Sequence, residues 1–225
     1  MNFLTRILTL VFFVLVSINI ANATTFDFVA YADYDADNDG HFEWGYSQFS
    51  VTEDNITLNA TGKYVESGVW VDAYAYLDQG NAGLGVCKTI NSGNQCTPNS
   101  DDNVTPKESL FLHFDQTVEL AQVVFRNGGH GTSFDGFFEL AVLSDGLWSA
   151  WETHSLEHIF NADIVGDAFA FYNPNYSTGN QYQFYIDPLT VTVPNVTTVP
   201  VPAAFWLFGT ALFGMSAMRR KYKLA

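Results

Sequence analysis

The sequence predicts an all-β fold, an antiparallel β-sandwich of jelly-roll type, and three observations carry that expectation. Apolar residues recur with a period of two, as in Asn55-Ile-Thr-Leu-Asn-Ala-Thr61, where Ile56, Leu58 and Ala60 share one face. Turn clusters punctuate the chain at short intervals: Asp37-Asn-Asp-Gly40, Asp78-Gln-Gly80, Asn127-Gly-Gly129, Ser144-Asp-Gly146 and Asn173-Pro-Asn175. Between Thr25 and Val193, only Ser149 to Asp163 carries a hint of a short helix.

In chain order, the first element is a secretory signal peptide over residues 1–23. Arg6 precedes an apolar core from Ile7 to Ile20, and Ala21-Asn22-Ala23 gives an A-x-A site, with cleavage expected after Ala23. Residues 24–193 form the expected domain, long enough to bury its own core. Its expected strands run Phe26 to Ala32, His41 to Val51, Asn55 to Thr61, Val69 to Leu77, Leu110 to Phe114, Val118 to Phe125, Phe137 to Leu143, Ala168 to Tyr172, Tyr182 to Ile186 and Leu189 to Val193. Residues 194–202 are an extended Pro, Thr and Val spacer. Sixteen uncharged residues, 203–218, then form a membrane helix of about 24 Å, closed by a basic cytoplasmic tail over 219–225. That length falls short of a hydrocarbon core of about 30 Å, so snorkelling Arg and Lys stems extend it.

Charge narrows the partners. All 24 acidic residues lie between Asp27 and Asp187, where only Lys63, Lys88, Lys107 and Arg126 oppose them. Nucleic acid and anionic lipid would be repelled, which excludes them as partners and makes divalent cations natural counter-ions. Cys87 and Cys96 are the only cysteines, and an exported chain meets an oxidising compartment, so a disulfide between them is expected.

The tail carries a specific resemblance. Val199-Pro-Val-Pro-Ala-Ala-Phe-Trp-Leu-Phe-Gly209, an apolar run, and Arg219-Arg220-Lys221 resemble the PEP-CTERM sorting signal of Gram-negative exported proteins. The resemblance implies that Val199, Pro200 and Pro202 are read by exosortase, a membrane-embedded transpeptidase, while the helix and Arg219, Arg220 and Lys221 hold the substrate in place. It implies an inner-membrane intermediate and then a place at the cell surface or in the extracellular matrix. Within the domain, Leu84-Gly-Val-Cys87, Asp101-Asp102-Asn103, Glu108-Ser-Leu-Phe-Leu-His-Phe114 and Val124-Phe-Arg-Asn-Gly-Gly-His-Gly131 resemble the β-rich domains that recur beside such signals. Those domains generally have no assigned activity.

Four constellations bear on chemistry. Asp35, Asp37 and Asp39, in a D-x-D-x-D-G string with Glu43 at position nine, have the spacing that wraps carboxylates around calcium, or else form a solvated acidic turn. Position twelve is Tyr46, so the bidentate Glu of the helical calcium loop is missing. Asp101, Asp102 and Glu108 are a looser acidic group, and His154 and His158 have the i, i+4 spacing of a zinc pair on a helix, without a third ligand. Trp70, Tyr74 and Tyr76 share one strand face on which a pyranose ring could stack, although a two-sheet core also consumes large aromatics. No G-x-S-x-G elbow, H-E-x-x-H or P-loop is present. The chain therefore reads as a non-enzymatic surface protein, with exopolysaccharide binding as the alternative and a secreted hydrolase third.

Overall fold

Strand formation follows the period-two pattern into a sheet whose long strands are shared between neighbours. In the computed structural model, described here for residues 23–33 and 43–194, the elements are β1 (Ala23–Phe26), α1 (Phe28–Asp33), β2 (Gly45–Tyr46), β3 (Phe49–Glu53), β4 (Ile56–Glu66), β5 (Val69–Asp78), β6 (Gly83–Cys87), β7 (Glu108–Asn127), β8 (Phe137–Ser144), β9 (Leu147–Trp148), β10 (Glu152–Ser155), β11 (Ile159–Tyr172) and β12 (Phe184–Thr192). Every pairing is antiparallel, and among the described residues helix is confined to α1 and one 3-10 turn at Asn180–Tyr182. The chain is all-β.

Strand β7 sets the architecture. Its first half, Glu108 to Phe114, pairs with β4, and its second half, Glu119 to Asn127, pairs with β12, while β11 runs along both. The order β1-β12-β6-β5-β4-β7-β11-β8-β10 therefore closes on itself through the additional β12–β7 ladder. Register shifts accompany the bending: β11 slips between Asn161 and Ile164, and β12 slips between Ile186 and Leu189. Pro188 sits in the β12 slip, where a residue without an N–H costs the ladder nothing.

The enclosed core is aromatic. Phe125 lies 5.0 Å from Phe138 and 5.2 Å from Phe184, and Phe138 meets Phe171 at 5.9 Å, all with rings fully buried. Phe26, Phe28, Phe49 and Phe114 fill the other end. Alternation puts Ala73, Ala75 and Leu77 inward, although Val69 on the same face runs past the core and is exposed.

Two local expectations are corrected. Phe26 to Ala32 is a strand only to Phe26; Asp27 then caps a helix, its Oδ1 accepting from Ala30 N at 2.9 Å, while Asp187 Oδ1 accepts from Val29 N at 3.0 Å. Ser149 to Asp163 is not helical: Glu152 to Ser155 pairs with Phe137 to Leu140, and Ile159 opens β11. The exposed alternation of this segment makes an edge rather than a helix face.

Cys87 and Cys96 form the expected disulfide. On chain entropy, a loop this small stabilises the fold by about 2.5 kcal/mol. It lies against Tyr76, which is thereby buried. Ala23, the expected cleavage position, opens β1 opposite Thr192. The remainder of the signal peptide, Asp35, Asp37 and Asp39, and the sorting motif with residues 203–225 lie outside the described residues. Among those described, no helix is long and apolar enough to cross a membrane.

Candidate functional site

Two surfaces gather side chains beyond what folding requires. The first is an aromatic layer on the outward face of β4, β5, β7 and β11. Trp70 on β5 lies 6.2 Å from Phe111 on β7, 5.5 Å from Tyr172 at the end of β11 and 6.3 Å from Trp151, whose plane is tilted 30° from its own. Trp148 on β9 packs edge-on against Phe111 at 5.6 Å and His113 at 5.9 Å. Burial pushes the His113 imidazole down. Inward-facing Phe169 and Phe171 join the core, which turns Ala168 and Ala170 outward; both are nonetheless fully buried, as is Ala141 opposite Ala170. Small residues thus leave room for a second layer of rings over the sheet. Trp70, Trp148 and Trp151 each remain about 40% exposed (40%, 41% and 37%), so the layer is covered below and open above.

This layer revises the expected platform. Trp70 belongs to it, but Tyr76 is 2% exposed and Tyr74 packs beside the disulfide, so the three residues do not form one open surface. Phe111, Trp148, Trp151 and Tyr172 replace them. Outward placement of Phe111 was readable from its alternation with Leu110 and Leu112; that Trp148 and Trp151 fold over the same face depends on the β8–β10 turn and had no local signal.

The second surface is a polar cleft of about 600 Å³ at one end of the sheet, built from four separated segments. Residues Asn99 to Pro106 line one wall, tied to the sheet because Asn103, Val104 and Thr105 run beside β12: Val104 N donates to Phe184 O at 2.8 Å. Gly85 permits this approach, since a Cβ there would collide with the Asp102 carbonyl. Buried Asn173 fastens the wall, its Nδ2 donating to Val104 O and Tyr182 O, each at 2.8 Å. Gly128 and His130 come from the β7–β8 loop, in which Asn127 Oδ1 accepts from Gly129 N and Gly131 N. Thr178, Asn180, Gln183 and Tyr185 close the other side.

The cleft's charges are held in pairs. Lys88 Nζ lies 2.7 Å from Glu108 Oε1 and 3.2 Å from Asp101 Oδ1, and Glu108 Oε2 accepts from Thr105 N at 2.6 Å. Burial pushes Glu108 up to about 7 even beside the ammonium; burial also pulls on Lys88, but Glu108 and Asp101 outweigh it and its net shift is upward. Tyr185 Oη donates to Asp102 Oδ1 at 2.6 Å. His130 places Nδ1 3.0 Å from Gly80 O and Nε2 3.3 Å from Asp78 Oδ2, so the carbonyl calls for a proton on Nδ1. Burial, with Asp102 nearby, pushes Asp78 up to about 6, and burial raises Asp102 and Glu43 as well.

The looser acidic group therefore does not converge on a cation. Asp101 and Glu108 turn to Lys88 while Asp102 turns to Tyr185, and among the described residues no group of three or more His, Cys, Asp or Glu is placed to hold a metal ion. Glu43 is engaged by Tyr76 Oη at 3.4 Å. His154 and His158 also part: His154 stacks on Phe138 at 5.3 Å, and His158 Nδ1 faces Phe125 O at 2.9 Å. Their helical spacing has no meaning on an extended chain, where they are separated by a bend.

No protein-family model matches the chain, and no curated protein does. Among solved structures, the chain is similar to the family 32 CBM from C. perfringens NanJ in complex with galactose, with 11% identity over 60% of this chain and 92% of that one and a TM-score of 0.33. It is also similar to discoidin II from Dictyostelium discoideum, with 10% identity over 77% of this chain and 55% of that one and a TM-score of 0.32. Similarity at this level assigns no ligand to either surface.

Proposed function

We propose that the protein is an exported, non-enzymatic surface or matrix component whose β-sandwich domain, of jelly-roll type, binds a neutral exopolysaccharide on its aromatic layer. The observation that carries the glycan reading is the open layer itself. Three tryptophans about 40% exposed lie on one sheet face, supported from below by Phe111, Tyr172 and a bed of alanines. Such rings offer rigid apolar area to the C–H faces of a sugar at little entropic cost. The strongly acidic domain disfavours anionic polymers and leaves neutral ones.

Binding of a neutral glucan to the full-length chain, purified in detergent, tests this reading. Removing two stacking rings should cost about 1–3 kcal/mol together, so Trp70→Ala/Trp151→Ala is expected to weaken binding about tenfold or more. Binding that is absent, or unchanged in that variant, overturns it. A concentration-dependent dimer lost in the same variant would instead make this face a contact between two copies.

Sorting rests on the tail sequence alone. Proline fixes φ and lacks an N–H, so Pro200 and Pro202 suit an extended peptide of the form a transpeptidase requires, and the apolar run 203–218 suits a membrane anchor behind it. In cells with the cognate exosortase, intact mass should show a chain ending near the Val-Pro-x-Pro element, and Pro200→Ala/Pro202→Ala should remain full length. Wild-type surface protein that still carries Ala225 would reduce the tail to an anchor.

A further inference from the structure

We infer that the polar cleft is a second ligand site, separate from the aromatic layer, and that it takes an amino sugar: a polyhydroxylated unit bearing an ammonium group. Its size suits one or two sugar units, since about 600 Å³ falls within the range of small-molecule sites. Its lining is rich in side-chain amides, with Asn99, Asn103, Asn180 and Gln183 around one space. An amide presents a donor and an acceptor side by side, which matches a hydroxyl that must both give and receive.

Asn103 supplies the independent sign of a missing partner. It is 3% exposed and lines the cleft, yet its Oδ1 accepts no hydrogen bond. Buried acceptors are nearly always paired, because an unmade bond costs the full desolvation of the group. Its Nδ2 side is set by Gly128, where a Cβ would lie 3.0 Å from that nitrogen and 2.7 Å from Gln183 Oε1. Glycine at 128 therefore keeps the two amides together at the cleft wall, and a donor on the ligand is what completes Asn103.

Charge selects the ammonium. Lys88 is neutralised by Glu108 and Asp101, and both ring nitrogens of His130 are engaged by Gly80 O and Asp78, so the cleft's ammonium is already used. Asp102 is held by the Tyr185 hydroxyl and faces His130, but Asp101, Asp78 and Glu43 lie close enough to repel it, so carboxyls outnumber the groups that oppose them. A uronate or phosphate entering there meets surplus negative charge, whereas an ammonium relieves it.

Isothermal titration of the full-length chain with glucosamine, glucose and glucuronic acid tests the assignment. Glucosamine should bind saturably, glucose about tenfold more weakly and glucuronic acid weakest. Asp102→Asn keeps an acceptor for Tyr185 and should erase the preference for glucosamine over glucose. Gly128→Ala, with its melting temperature checked, should weaken both sugars, and Trp70→Ala/Trp151→Ala should leave the preference for glucosamine over glucose intact, because stacking rings do not distinguish the two. That last variant separates the two sites, because failure of the aromatic reading leaves this one standing and the reverse holds too. No saturable binding of glucosamine, equal binding of glucuronic acid, a preference that survives Asp102→Asn, or loss of the preference in the tryptophan variant each overturns the cleft assignment. Should Gly128→Ala fail to fold, Asp102→Asn decides alone.

Discussion

Lys88→Met is expected to destabilise the domain by about 1–2 kcal/mol at pH 8, because it removes the cation beside a carboxylate with no solvent exposure, and proton uptake by Glu108, already raised to about 7, caps the loss. Glu108 cannot turn outward. Its Oε2 is held by Thr105 N, its backbone N donates to Thr105 O at 3.1 Å and its carbonyl accepts from Asn173 N at 2.9 Å, and its side chain lies under the wall of the cleft. Methionine retains the lysine stem's apolar contacts, so the loss is electrostatic. At pH 5, below the value of about 7 to which burial raises Glu108, the acid is protonated with or without Lys88 and the penalty should largely vanish. The double variant Lys88→Met/Glu108→Gln keeps the acceptor for Thr105 N and removes the charge, and should recover most of the lost stability. Chemical denaturation of the three proteins at both pH values checks this. A Lys88→Met penalty equal at pH 5 and pH 8, or one that Glu108→Gln fails to rescue, would show that Lys88 acts through packing alone.

How far the sequence led differs between fold and sites, for physical reasons. Alternation is local, so β4, β5 and β8 were readable from their own residues, and the disulfide from a cysteine count. Boundaries failed where long strands bend: Leu110 to Phe114 and Val118 to Phe125 are two halves of β7, and polar Asp115 to Thr117 between them mimics a turn. The same happened at β12, where Asp187-Pro188 looks like a break and is a slip in register. At Asp27, a cap that starts six helical residues was hidden inside an alternating run.

The two surfaces lie beyond such local reading. Trp70 announced itself as an alternate-face aromatic, but its neighbours Phe111, Trp151 and Tyr172 become neighbours only through the order β5-β4-β7-β11. The cleft joins residues 88, 99–106, 128–130 and 178–185, and no window contains more than one of these segments. Asp101, Asp102 and Glu108 were conspicuous as acids. What they do depends on Lys88 and Tyr185, which are far from them in sequence or separated by the disulfide loop.

Acidification from pH 8 to about pH 5 should make the protein more stable, contrary to the usual behaviour of paired carboxylates. Glu108 is raised to about 7, Asp78 and Asp187 to about 6, each chiefly by burial, and Asp102 and Glu43 move the same way. For an acid whose folded value exceeds its unfolded one, the folded state holds the proton more tightly. Its stabilising contribution is complete below the ordinary carboxylate range near 4 and is lost as pH rises through 6 to 7. Discharging a domain with 24 acids and four bases also relieves general repulsion. His113 opposes the trend, since burial lowers it and the unfolded chain takes up that proton first, but it is one group against five. Allowing for partial solvent screening, the net gain is on the order of 3 kcal/mol, which for a domain of this size is roughly 10 °C in melting temperature. Thermal melts of the full-length chain at pH 5, 6, 7 and 8 check it, and Glu108→Gln should flatten the profile between pH 6 and pH 8. A melting temperature that falls steadily from pH 8 to pH 5 would mean that the buried acids are ionised and held by their partners throughout.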